Sequence, residues 1–278
     1  MIEAGEGAHR SVFSGDAIID AGSPRIAGVS DAVLYGKGIF TTVAIHNGRP
    51  FLWEKHWRRL AENADRLGID LSIFNQDSVA ASLMALLKAN KVEAGRARIC
   101  FLDESSTGIW KLDSKKLAKL FILTAGPRRT ATAPKVTLSP YSINSASPLA
   151  GTKSINYIEN LLALREARSR GFDEAIRVNE KGYLASACMA NIFWLRDGML
   201  FTPSLRTGCL PGTTREFVLG NLPCREVESD PDEIQQADEI FLTSAGIGVV
   251  GASEFDGRRL ANRPHKILRL IAEALKKE

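Results

Sequence analysis

Apolar residues recur along this chain with two spacings, and the switch between them marks out its elements. Residues 33–53 read as a hairpin: the apolar stretch Ile39–Ile45 is closed by Asn47-Gly48, a type I′ turn signal, and followed by Pro50-Phe51-Leu52. Helical spacing then takes over in Trp53, Trp57, Leu60, Ala64 and Leu67, with Gly68 placed where a C′ residue belongs. A second amphipathic helix is expected from about Asp77, its N-cap, through Val79, Leu83, Leu86 and Leu87. Strand-like runs Ala97–Leu102 and Leu117–Thr124 flank a polar loop from Asp103 to Lys116. Strands and helices are thus segregated in the first half, which predicts an α+β module ending near residue 125.

Pro127, Pro134, Pro140 and Pro148, followed by Gly151, mark a boundary region with one strand, Val136–Ser139, inside it. A helix opens near Asn156, carries Ile158, Leu161, Leu162 and Leu164, and stops at Gly171. Short strands follow at Glu174–Val178, Tyr183–Ala185, Ile192–Leu195 and Met199–Phe201, the last two joined by Asp197-Gly198. Gly212-Thr213-Thr214 opens a further helix, and Asp230-Pro231 reads as cap and N1 of a short one. Ile240–Thr243 is a strand and Pro264–Lys276 a closing helix. The expected division is a smaller domain over 1–125, a linker over 126–152 and a larger domain over 153–278.

Composition narrows the function classes. The 278 residues are 45% hydrophobic and 24% charged, a globular balance, and the net charge of +4 leaves no block of basic residues beyond doublets such as Arg58-Arg59 and Arg128-Arg129. No nucleic-acid partner is expected. No apolar run approaches the roughly 20 residues of a membrane span, and the N-terminus, with Glu3, Glu6, His9 and Arg10, is not a secretory signal. Cys100, Cys188, Cys209 and Cys224 lack metal or disulfide spacing, so a reducing cytoplasm and no metal are expected.

Four features could carry chemistry. Lys153 follows small residues and precedes a helix start; buried there, its amine loses its proton and can form a Schiff base, whereas in a flexible loop it is merely solvated. Gly212-Thr213-Thr214 at a helix start and Thr243-Ser244-Ala245-Gly246 after a strand offer N–H and hydroxyl donors to an anion, with Arg59, one turn after His56, as a clamp. Gly36-Lys37-Gly38 precedes a strand rather than following one, which is the wrong order for a dinucleotide fingerprint. Arg98 within a strand is either half-exposed at an edge or holding an anion.

In order along the chain, several runs resemble the class IV pyridoxal-phosphate enzymes: branched-chain and D-amino-acid aminotransferases, (R)-amine transaminases and aminodeoxychorismate lyases. They are Tyr35–Thr42, Glu54–Leu60, Lys153–Asn160, Gly171–Ala175, Ala190–Trp194, Leu210–Arg215 and Phe241–Ser244. The resemblance implies an α+β/α/β, two-domain class IV aminotransferase-like fold with pyridoxal 5'-phosphate in the interdomain cleft. It implies Lys153 as Schiff-base lysine and proton shuttle, Arg59, Thr213, Thr214 and Ser244 on the phosphate, and Tyr157 near the phenolic oxygen. The family's glutamate facing the pyridine nitrogen is matched here by Ser186, which can only hydrogen-bond. Lys37 and Thr41 stand where acidic residues are common, and Lys37 or Arg98 would meet a substrate carboxylate.

The implied activity is amino transfer between a small amino acid or amine and a 2-oxo acid, in a homodimer. The alternative is aminodeoxychorismate lyase, releasing pyruvate and 4-aminobenzoate; Phe40-Thr41-Thr42 and Cys188–Trp194 lean that way, and Tyr157 leans to the transferases. A third reading, a non-catalytic cofactor-binding protein, is motivated by Ser186.

Overall fold

Residues 38–46 form one of the two nine-residue strands of a six-stranded antiparallel sheet, with buried and part-exposed positions alternating from Thr41 onward. The computed structural model describes residues 7–23, 26–105, 118–127, 133–261 and 263–276. Most of the expected loop from Asp103 to Lys116 therefore lies outside the described residues, as do Leu117 and Arg128-Arg129. Two units divide the chain: Met1–Arg129 with Thr152–Asn156, and Thr130–Gly151 with Tyr157–Glu278.

The first unit runs β1 (Ser11–Ser14), β2 (Ala17–Asp20), α1 (Asp31–Tyr35), β3 (Gly38–His46), β4 (Arg49–Pro50), α2 (Trp53–Leu67), α3 (Gln76–Asn90), β5 (Gly95–Asp103) and β6 (Ala118–Ala125). Its sheet has the order β2-β1-β6-β5-β3-β4. Ile39, Val43, Ile99 and Phe101 point to one face, where Leu60 and Ala64 of α2 and Val79, Leu83 and Leu86 of α3 complete the core. The hairpin turn is as expected: Asn47 and Gly48 both have positive φ, 47° and 69°.

Three details differ from expectation. Residues 33–35 belong to α1 rather than to the hairpin, because the Ser30 side chain caps a short helix at the Val33 N–H. The cap of α3 is Asn75, not Asp77: Asn75 and Ser78 form a reciprocal capping box, which places Asp77 in the first turn. Arg98 sits on β5, between β6 and β3, so it is half-exposed on an interior strand and not at an edge.

The second unit runs β7 (Lys135–Leu138), α4 (Ile158–Ser169), β8 (Glu174–Val178), β9 (Leu184–Ala187), β10 (Asn191–Arg196), β11 (Met199–Pro203), α5 (Thr213–Leu219), β12 (Arg225–Val227), α6 (Pro231–Gln235), β13 (Glu239–Ser244), β14 (Gly248–Gly251), β15 (Glu254–Phe255), β16 (Arg258–Arg259) and α7 (Lys266–Leu275). Two five-stranded sheets, β12-β11-β10-β13-β14 and β16-β15-β7-β8-β9, share a core of Val136, Ile176, Leu184, Ile192, Trp194 and Ile240. α4 covers the other face of the second sheet through Ala163, Leu164 and Ala167. α7 lays Ile267 against Phe193 and Phe241 of the first sheet.

Residues 130–151 belong to the second unit because β7 pairs in parallel with β8 and β15. Thr152–Asn156 belongs to the first, because it pairs with β3. No helix among the described residues is long and apolar enough to cross a membrane.

Candidate active site

Within the first unit, the N-terminal half of β3 has a free edge, and the segment after Gly151 fills it. The Phe40 N–H donates to the Lys153 carbonyl and the Ile155 N–H to the Gly38 carbonyl, both at 2.9 Å, with Ile39 and Ser154 as bridge partners. Lys153 is therefore held by a strand ladder, not by a mobile loop. Its Nζ lies 4.5 Å from the Phe40 ring centroid, and the Arg98 guanidinium carbon lies 3.7 Å from the same centroid. Burial of the amine, then the positive charges of Arg59 and Arg98, push Lys153 well below the usual lysine range. An amine that holds its proton weakly at a fixed place is readied as a nucleophile and a base.

Helical spacing puts His56 and Arg59 one turn apart on α2, both buried. They meet on Thr41 of β3: Arg59 Nη2 donates to Thr41 Oγ1 at 2.9 Å, and His56 Nδ1 lies 2.7 Å from the same oxygen. Burial, and then the charges of Arg59 and Lys153, hold His56 well below the ordinary imidazole range. The ring is neutral, and the hydroxyl that accepts from Arg59 keeps one proton to donate to Nδ1. Lys37 behaves differently. Its Nζ is 2.8 Å from Asp103 Oδ2 and 3.9 Å from Asp31 Oδ2, so its charge is answered within the chain.

In the second unit, α5 opens at Gly212 with Thr213 and Thr214 buried. Asn191 ties this helix start to the end of β13. It pairs with Thr243 across β10 and β13, its Nδ2 donates to the Leu210 carbonyl at 2.8 Å, and its Oδ1 lies where a Cβ on Gly212 would go. Only glycine allows that approach. Thr213, Thr214 and Ser244 are thereby gathered, and Thr243 Oγ1 is buried with no hydrogen-bond partner among the described residues.

Ser186, half-buried on β9, faces Arg177 of β8 in register. Tyr157 is the N-cap residue of α4. Sequence reasoning missed Asn160, Arg177 and Asn191 as members of these clusters. Arg177 carried a signal, a cation in the middle of a strand that is otherwise buried. Asn191 carried none, because its role depends on a helix start that only the folded chain brings beside it.

The family model for the class IV amino-transferases matches residues 38–255. A branched-chain-amino-acid aminotransferase of Pseudomonas aeruginosa is 28% identical over 246 residues, covering 81% of this chain and 78% of its own. The aminodeoxychorismate lyase of Bacillus subtilis is 26% identical over 226 residues, covering 78% and 77%. A T.th. branched-chain amino acid aminotransferase complexed with N-(5'-phosphopyridoxyl)-L-glutamate shares the fold at a TM-score of 0.85 and 22% identity, over 100% of this chain and 94% of that one. With most of its length matched, the chain belongs to the class IV amino-transferase family, whose enzymes depend on pyridoxal phosphate.

Proposed function

We propose that this protein is a pyridoxal-phosphate-dependent aminotransferase that moves an amino group between a small amino acid or amine and a 2-oxo acid. The observation that carries the reading is the buried Lys153 amine, pushed well below the usual lysine range and fixed on the β3 edge beside two arginines. The donor set fits the cofactor. A phosphate needs several fixed donors, and Arg59, Thr213, Thr214 and Ser244 are of that kind, with the orphaned Thr243 hydroxyl next to Ser244 in the chain.

A bound pyridoxal phosphate supplies an aldehyde for capturing amines and a ring that withdraws electrons from the substrate's Cα. Lys153 would hold the aldehyde carbon and would serve as the base that moves the substrate's Cα proton. Arg59, Thr213, Thr214 and Ser244 would anchor the phosphate, Tyr157 would face the phenolic oxygen, and Ser186 the ring nitrogen. Arg98 is the better partner for a substrate carboxylate, since Lys37 already answers Asp103 and Asp31. The four cysteines are free, which supports a reducing, cytoplasmic setting. Exposed Val33, Leu34 and Tyr35 on α1 support a homodimer.

A second reading, aminodeoxychorismate lyase, is favoured by Ser186: a serine in place of a carboxylate suits a reaction helped by aromatisation of its product. Borohydride reduction of the holoprotein followed by peptide mass spectrometry tests the core of the proposal. A reduced adduct on Lys153 supports it, and no adduct there rejects both enzymes in favour of a non-catalytic protein. Incubation with an amino donor alone then separates the two, since only a transferase converts its cofactor to the amine form.

A further inference from the structure

The strand pair that carries Ser186 holds a second departure from what a protonated pyridine ring requires. β8 and β9 run antiparallel with Arg177 opposite Ser186, so the two side chains stand next to each other on one face of the sheet. That face is the α4 side: Ala175 packs against Ala163 and Ala167, and Arg177 Nη1 donates to Asn160 Oδ1 of α4 at 2.8 Å. Arg177 is only 2% exposed. Its Nε donates to the Tyr141 carbonyl at 3.1 Å and its Nη2 to the Ser142 carbonyl at 2.7 Å. The guanidinium is thus locked by neutral acceptors, and a locked arginine keeps its charge.

The carboxylate that pairs with it is exposed to water. Glu159 of α4 is 3.6 Å from Arg177 Nη2, but its side chain is 77% exposed and screened by water. Arg165 and Glu166, also on α4, border the same cavity as Arg177, and Glu166 is held by Arg170 at 2.6 Å. Glu174, earlier on β8, is buried, and its carboxyl accepts the N–H groups of Ala175, Cys188 and Met189. The Cys188 thiol is pushed up to about 12 by burial and then by Glu174, so it adds no charge.

We propose that Ser186 and Arg177 act as a pair that keeps the cofactor's ring nitrogen unprotonated, with Ser186 donating its hydroxyl proton and Arg177 opposing a second positive charge. This rests on the cofactor reading above. A ring without that proton withdraws less charge, so the site suits substrates whose own structure accepts the charge left on Cα. Ser186 touches the cofactor; Arg177 is a positioning residue that acts through the field at Ser186.

The test is ¹⁵N NMR of the full-length holoprotein reconstituted with pyridoxal phosphate labelled at the ring nitrogen. The wild-type signal is expected at the free-base pyridine position. Arg177→Gln should raise the nitrogen's proton affinity about tenfold or more, and Arg177→Lys, which keeps the charge, should retain the wild-type titration. Ser186→Glu keeps Arg177 itself and should move the signal toward pyridinium, which covers the case that Arg177→Gln does not fold. A pyridinium signal in the wild type, a folded Arg177→Gln that titrates like the wild type, or an unmoved signal in Ser186→Glu would overturn the inference while leaving the cofactor reading intact. No labelled cofactor retained and no reduced adduct on Lys153 would overturn both.

Discussion

The Phe40 main chain and side chain both engage Lys153: the N–H donates to its carbonyl at 2.9 Å, and the ring centroid lies 4.5 Å from its Nζ. One strand residue therefore sets the lysine's position and lines the place where its amine sits.

That amine is expensive to the fold. Its folded-state proton affinity is lowered, so between the native and the ordinary value the unfolded chain binds a proton that the native state does not. Stability then rises with pH until the ordinary lysine value near 10.4 is passed. Lys153→Met should abolish the borohydride adduct and lower turnover by about 10²–10⁴-fold or more. It should also stabilise the cofactor-free protein by about 1 kcal/mol at neutral pH, a gain that shrinks in strong alkali. Urea unfolding across pH measures this, and equal stability of the two proteins at neutral pH would contradict it.

Thr41 is the shared partner of Arg59 and His56. Thr41→Val keeps the shape and removes the hydroxyl, at an expected cost of about 1–3 kcal/mol. Thr41→Ser should recover most of it. Cofactor affinity, followed by equilibrium dialysis, should fall with Thr41→Val because Arg59 loses the contact that aims it.

Lys37 and Asp103 form the ion pair in the first unit that is most open to a pH test. Burial raises the Asp103 carboxyl, but the Lys37 ammonium and Ser105 more than offset it, and the net direction is down. The pair's contribution is present above the ordinary aspartate value of about 3.9 and is lost as pH falls through the lower native value. Lys37→Met should cost about 1 kcal/mol at neutral pH and nothing in strong acid. Denaturant midpoints at two pH values decide the matter. If Lys37 instead met the substrate carboxylate, the Michaelis constant would rise with no change in midpoint.

Gly212→Ala would put a methyl group into Asn191 Oδ1. The start of α5 must then shift, at an expected cost of about 1–3 kcal/mol. Cofactor affinity should drop about tenfold through misplacement of the Thr213 and Thr214 donors. Unchanged affinity would remove these two threonines from the phosphate site.

Local signals in the sequence are legible where one stretch decides its own conformation. The spacing of Trp53, Trp57, Leu60, Ala64 and Leu67 and the stop at Gly68 match α2, and Asp230-Pro231 opens α6 as cap and first residue. Legibility fails where two residues compete for the same role, as Asn75 and Asp77 do for the α3 cap. β1 and β2 are only four residues each, too short for a period to emerge. The candidate site was legible as residue types, because lysine, arginine and hydroxyl chemistry is intrinsic to them. Its clusters were not, since Thr41 joining Arg59 to His56, or Ser186 facing Arg177, depends on strand register between distant segments.

The strap formed by Thr152–Asn156 also has a consequence for biosynthesis. Residues on both sides of it belong to the second unit, yet it closes the edge of β3 in the first. During translation the first unit emerges long before this strap, leaving the Gly38–Phe40 edge open to stray strand pairing. At about 5–20 residues per second, that exposure lasts several seconds. The segment that seals the young sheet is the one that delivers Lys153, so completing the first unit and placing its reactive amine are a single folding event.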